Sequence, residues 1–167
     1  MPITETVGYP SIVVSSPDGV FRGTAVATEL LDIEFNGAPD LGRYTPSGLA
    51  DQIAAVLRDV MAKRQKVTRE SMRKAGFEFT DQPHWDARQR RFHAALDKVE
   101  ARGRSRGDTV KVAILGAHRD YRVRIRPRLL EDPDPEHVLK EVHSAYAKAV
   151  LDLRRQRNEL LREHLPS

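Results

Sequence analysis

Apolar and polar positions along this chain follow two periods, two in some stretches and close to four in others, and the changes between them predict its elements. Ser11-Ile12-Val13-Val14 runs into Ser16-Pro17-Asp18-Gly19, a hairpin signal because Asp and Gly both tolerate positive φ. Val20-Phe21 through Val26 follow. Leu31, Ile33 and Phe35 then alternate with Asp32 and Glu34, the pattern of a half-buried strand, and Asn36-Gly37 and Pro39 close this strand region over 11–36. The spacing turns helical over 47–74. Leu49, Ile53, Val56, Val60 and Val67 form one stripe, with Thr45 as cap, Pro46 at the first helical position and Gly76 at the end. Phe77 to Pro83 reads as a linker. A second helix is predicted over 84–100, with Asp81 near its start and Trp85, Phe92, Leu96 and Val99 on one face, broken by Gly103 and Gly107. A hairpin follows over 109–126. Val110, Val112 and Ile114 alternate on one strand and Tyr121, Val123 and Ile125 on the other, joined by Gly116-Ala117-His118-Arg119-Asp120 and ended by Pro127. Asp134-Pro135-Glu136 opens a last helix over 135–163, striped by Val138, Val142, Ala145, Ala149, Leu153 and Leu160.

The order strand, strand, loop, helix occurs at 20–74 and again at 109–163. A shift of 89 residues carries Leu49, Ile53, Val56 and Val60 onto Val138, Val142, Ala145 and Ala149. In the strands a shift of 92 carries Leu31 and Ile33 onto Val123 and Ile125, the difference falling in a loop. A unit of about 55 residues buries too little apolar surface alone, so the two units are expected to mate, as the halves of a two-fold dimer do.

Composition then limits the chemistry. The 167 residues contain no cysteine, which removes disulfides, thiolate catalysis and cysteine-bound zinc. No run approaches the roughly 18 apolar residues of a membrane span, and Met1-Pro2-Ile3-Thr4-Glu5 lacks a signal-peptide pattern. The formal charge is only +4, but it is unevenly spread. Residues 1–56 carry a net −5, 57–74 a net +5, and 84–106 and 107–129 a net +4 each. Concentrated cations of this kind point to a polyanionic partner.

One stretch carries a family resemblance. Val110-Lys111-Val112-Ala113-Ile114-Leu115-Gly116-Ala117-His118, then Arg122-Val123-Arg124-Ile125-Arg126-Pro127, then Leu129-Leu130-Glu131-Asp132, with Ala145, Ala147 and Ala149 on the following helix, resemble the YbaB/EbfC family of small bacterial nucleoid-associated proteins. The resemblance covers 84–163. Residues 10–74 share only the pattern, without the leading helix, the Gly-Ala-His turn or the Leu-Leu-Glu-Asp run. The family implies tweezer-shaped dimers whose helices project from a central sheet assembly and bind DNA. The expected fold is therefore α+β: two YbaB-like β-β(-β)-α repeats forming a pseudo-two-fold, tweezer-like dimer within one chain. Residues 1–80 would be a degenerate half without its leading helix, and 81–167 the fuller half. Related sequences also serve as accessory proteins of type VII secretion loci, which keeps a protein-binding adaptor or chaperone-like role, or self-association, as the second expectation.

Phosphate contact needs cations on rigid surfaces away from the core. At 100° per residue, Arg58, Lys66, Arg69 and Arg73 share one sector of the first long helix, and Lys140, Lys148, Arg155 and Arg162 one sector of the last. The shift of 89 maps Lys66 onto Arg155 and Arg73 onto Arg162. Arg91, Lys98 and Arg102 fall on one side of the predicted middle helix, away from Trp85 and Phe92. These residues are the expected contacts to double-stranded DNA, in a cytoplasmic, nucleoid-associated, non-enzymatic protein with little sequence preference. Arg122, Arg124 and Arg126 share a strand face and form a second basic feature. Of the six histidines no two have the i, i+4 spacing of a helical metal site, so neither metal nor other cofactor is expected. Gly37-x-x-x-x-Gly42-Arg43-Tyr44 lacks the Lys-Ser/Thr of a phosphate loop and reads as a turn. His118 is expected to bond backbone in its turn.

Overall fold

The computed structural model describes residues 11–25, 31–76 and 86–166. Val26, Leu30, the 77–83 linker with Asp81, and Trp85 lie outside them. Strands β1 (Ile12–Ser15), β2 (Phe21–Ala25) and β3 (Leu31–Phe35) form one antiparallel sheet in that order. Helix α1 (Pro46–Lys74) follows, capped by the Thr45 hydroxyl, which accepts from the Gly48 N–H, with Pro46 at its start. Helix α2 (Ala87–Leu96) opens on a capping box, Asp86 with Gln89. Strands β4 (Glu100–Arg104), β5 (Val110–Leu115) and β6 (Asp120–Ile125) form a second antiparallel sheet. The one-turn helix α3 (Pro127–Leu130) and the long α4 (Glu136–His164) complete the chain.

The middle helix is shorter than the sequence predicts: it ends at Leu96, a turn occupies 97–99, and strand β4 begins at Glu100. The apolar stripe suggests a helix running to 100, but from 101 the burial alternates with period two. Ala101, Gly103 and Ser105 are buried, while Arg102, Arg104 and Arg106 are exposed. The inward residues are small because α4 lies directly on them. A Cβ at Gly103 would sit 2.0 Å from the Ala145 carbonyl oxygen and 2.3 Å from the Ala149 nitrogen. Gly103 therefore permits a close approach of helix to sheet and breaks no helix.

The two sheets correspond position by position. A shift of 89 carries the pairs Ile12↔Ala25 and Val14↔Gly23 onto Ala101↔Ile114 and Gly103↔Val112. It also carries the turn with it. The Ser16 hydroxyl accepts from the Phe21 N–H at 3.0 Å, and the Ser105 hydroxyl accepts from the Val110 N–H at 3.0 Å. Asp18 N–H donates to Gln52 in the first turn, and Gly107 N–H donates to Glu141 in the second. For the third strand the ladders pair Gly23 with Ile33 and Val112 with Val123. The shift there is 90 rather than 92. A period-two pattern fits either value, and the hydrogen-bonded register selects one.

One continuous core runs through both halves. α1 packs on β1 and β2 and reaches β6, whereas α4 packs on β4 and β5 and reaches β3. Each long helix thus reaches the edge strand of the other sheet and bonds one of its backbone groups. Arg58 of α1 donates to the Tyr121 carbonyl at 3.0 Å, and His143 of α4 accepts from the Ile33 N–H at 3.0 Å. α2 lies against α4.

Candidate nucleic-acid interface

Beyond Met61, α1 leaves the core. Only Arg64 and Val67 are half-buried between 62 and 74. This outer part carries Lys66, Arg69 and Arg73, all exposed and without an acid in ion-pair range among the described residues. The corresponding part of α4 holds Arg155 and Arg162, and Lys148 lies before it on the outward side of the core-packed stretch; all three are exposed. Of these, Arg155 is engaged by its own helix, with Asp152 at 2.6 Å and Glu159 at 3.0 Å. Those two carboxylates hold its guanidinium charged more firmly and partly neutralise it as a phosphate contact. Exposed Lys140 lies near the start of the same helix.

The structure places three other predicted contacts differently. Arg58 shares a sector with Lys66, but its Nε lies 2.6 Å from Asp120 Oδ1 and its Nη2 holds the Tyr121 carbonyl. It ties α1 to β6. The hydrogen bond from Arg58 also holds the Asp120 carboxyl below its usual range. Arg91 is exposed on α2, but Lys98 lies in the turn after that helix and Arg102 on β4, so the three do not form one helical row.

Arg102 instead joins a second group. On the sheet face turned away from α4, Arg104, Lys111 and Arg124 occupy one cross-strand row, and Arg102, Ala113 and Arg122 the next. They line a trough of about 530 Å³ floored by Gly103, Val112 and Ala113 and rimmed by the five cations and Glu100. The strand pattern of the sequence marks the outward positions of Lys111, Arg122 and Arg124 but not Arg104. The signal for Arg104 is the alternation of small residues with arginine over 101–106, which a pattern of large apolar residues does not register. Arg126 follows β6 and bonds Asp108 at 3.2 Å, so it stands at the margin.

Other polar groups are structural. His118 Nδ1 meets the Tyr121 hydroxyl at 2.5 Å, a side-chain partner where a backbone one was expected. Its turn runs left-handed through Gly116, Ala117 and His118. Gly42 lies in a 3-10 turn capped by Asp40. Burial pushes the Glu141 carboxyl up, but hydrogen bonds from Ser105, Thr109 and the Gly107 N–H outweigh it and hold the group below its usual range. Among the described residues no group of three His, Asp or Glu side chains is arranged to hold a metal, and no helix is long and apolar enough to cross a membrane.

Residues 85–165 match the YbaB/EbfC DNA-binding family. No curated protein matches the chain. The matched stretch spans α2, the whole second sheet and α4, the half that also carries the cationic trough. The likeness of this chain to the YbaB/EbfC DNA-binding family is carried by residues 85–165.

Proposed function

We propose that this chain is a non-enzymatic, nucleoid-associated protein of the cytoplasm that binds duplex DNA through phosphate contacts, with little sequence preference. The observation that carries the reading is the match of 85–165 to a DNA-binding family. The placement of charge supports it. Lys66, Arg69 and Arg73 on α1 and Arg162 on α4 stand beyond the buried stretch of their helices, and Lys148 faces outward from the core-packed stretch of α4, where phosphates can approach. Arg91 on α2 adds to the α4 arm, and Arg155 contributes once its acids yield. None of these residues lies at the start of a helix shaped to enter a major groove, so base readout has no evident carrier.

Residues 1–80 and 81–167 are read as two copies of one β-β-β-α unit, mated about a pseudo-two-fold within the chain. The shared registers and the twin serine turns support this. The arms α1 and α4 would then address two backbone segments of one duplex.

A gel-shift series with unrelated duplexes tests the function. If roughly five to seven phosphates are neutralised, affinity falls about 10²–10⁴-fold between 50 and 200 mM salt. Equal affinity for different sequences is expected. Absence of any shift at 50 mM salt, together with tight capture of a defined acidic protein, would replace this reading with the adaptor role.

A further inference from the structure

The outer faces of the two sheets are equivalent in register and opposite in charge. In the first sheet the two rows read Ser15–Arg22–Glu34 and Val13–Thr24–Asp32. There Arg22 bonds Glu34 at 2.6 Å, and the face carries one more acid than base. In the second sheet the corresponding rows read Arg104–Lys111–Arg124 and Arg102–Ala113–Arg122. Arg102 has Glu100 at 3.1 Å and Arg104 has Asp108 at 3.2 Å. Lys111, Arg122 and Arg124 have no acid within ion-pair distance among the described residues. Strands lie about 4.8 Å apart, and like charges directly opposite one another destabilise a sheet. The first sheet relieves that repulsion with a carboxylate at the register where the second keeps Arg124. An anion from outside would relieve it in the second.

We propose that the outer face of β4–β5–β6 is a second nucleic-acid site that takes the phosphate backbone of a further duplex, so that one chain joins two duplexes. The inference rests on the reading of the arms as the first DNA site and adds a separate one. Along β4 and β5 the residues Ala101, Gly103, Val110, Val112 and Ile114 point to the core under α4, so their neighbours Arg102, Arg104 and Lys111 point away from the helices. A duplex held on the arms therefore leaves the trough open. The trough offers guanidinium and ammonium groups around small floor residues. Tyr121, the aromatic of β6, is fully buried on the opposite side. With no ring on this face among the described residues to stack an unpaired base, a duplex backbone fits it better than a single strand.

The test is a two-duplex capture. The full chain is added at 50 mM salt to one duplex fixed on beads, and retention of a second, fluorescent duplex is measured. The variant Arg122→Asp with Arg124→Glu gives the second sheet the acids that the first already tolerates at Asp32 and Glu34, so its melting temperature should hold. Capture is expected to fall at least about tenfold, while affinity for a single duplex changes by less than about threefold. Capture unchanged in the variant would overturn the proposal, as would a wild-type chain that binds one duplex and retains no second. Displacement of the second duplex by polyglutamate at lower charge concentration than by competing DNA would assign the face to an acidic protein instead. If wild type binds no duplex at all, the reading of the arms falls first and this one with it.

Discussion

Replacing Gly103 by alanine adds one methyl group at the tightest contact between helix and sheet. The new Cβ would lie 2.0 Å from the Ala145 oxygen, 2.3 Å from the Ala149 nitrogen and 3.0 Å from its Cα. All three are backbone atoms, so no side chain can rotate away. Relief requires α4 to lift off β4 by about an ångström or more, since ordinary carbon contacts lie near 3.5–4.0 Å. That movement also stretches two hydrogen bonds joining helix to strand, Arg102 N–H to Asp152 at 2.9 Å and Gln156 to the Glu100 carbonyl at 3.1 Å. Overpacking costs about 1–3 kcal/mol, occasionally more, and a backbone obstacle on both sides puts Gly103→Ala near or above the upper figure. The alanine recovers only about 0.4–1 kcal/mol by restricting the unfolded chain. A net loss of about 3 kcal/mol corresponds to roughly 6–12 °C in melting temperature for a chain of this size. Gly23→Ala provides the internal comparison. Its nearest obstacle is the side-chain atom Val56 Cγ1 at 2.4 Å, so adding Val56→Ala should recover much of the loss, whereas no single truncation should rescue Gly103→Ala. Urea unfolding of the four proteins gives these numbers. A Gly103→Ala protein within about 0.5 kcal/mol of wild type would mean that α4 is not seated on β4.

Lys66→Glu with Arg162→Glu should weaken duplex binding and lower the salt slope by about one for each phosphate no longer neutralised, with the melting temperature unchanged. Lys66→Glu with Arg155→Glu should do less, because Asp152 and Glu159 already engage Arg155, and a gel-shift salt series ranks the two pairs. Arg58→Ala should leave DNA affinity nearly intact and lower stability by about 1 kcal/mol or less, since the ion pair it removes is half exposed, as read by thermal melting. Glu141→Gln should cost about 1–3 kcal/mol, because the bonds that Oε2 accepts from Ser105, Thr109 and the Gly107 N–H lose their carboxylate charge, and an amide nitrogen in the place of Oε1 cannot accept from Gly107. The Glu141 carboxyl is depressed in the folded state, so its contribution is complete above the unfolded pKa of about 4.3 and disappears as pH falls through the lower folded value. Unfolding curves from pH 6 to 3 should therefore be flatter in the Glu141→Gln protein than in wild type.

The long elements were legible because their signals are strong and local. Thr45-Pro46 fixes the start of α1, Asp18-Gly19 marks the first hairpin, and Pro127 ends β6. Strand β4 was hidden for a tertiary reason. Its inward residues are small because a helix backbone occupies the space that larger side chains would fill, and hydropathy alone does not register Ala101 and Gly103 as core. The charged residues followed the same rule. Exposure of Lys66, Arg69 and Arg73 follows from helical period, but nothing in the period reveals that Asp120, 62 residues further on, captures Arg58. The cationic trough needs the lateral register of three strands, and that register is set by hydrogen bonds between segments distant in sequence.

The two halves use equivalent positions differently, and the difference is ordered. In each sheet one cross-strand pair under the helix combines a valine with a glycine, Val14↔Gly23 in the first and Gly103↔Val112 in the second. The facing helix positions are Val56 and Val60 in the first half and Ala145 and Ala149 in the second. Where the glycine lies on β2, valine side chains fill the gap; where it lies on β4, the helix itself descends and only alanine fits. The inner faces thus solve one packing problem with different side chains. The outer faces are under no such constraint, and there the divergence is one of charge sign: Asp32 and Glu34 against Arg122 and Arg124. Core packing does not require that divergence, because both sheets pack without reference to their outer faces. Lys111, Arg122 and Arg124, without an acid in ion-pair range among the described residues, therefore favour an anion from outside the fold, and they lie in the half that matches the DNA-binding family.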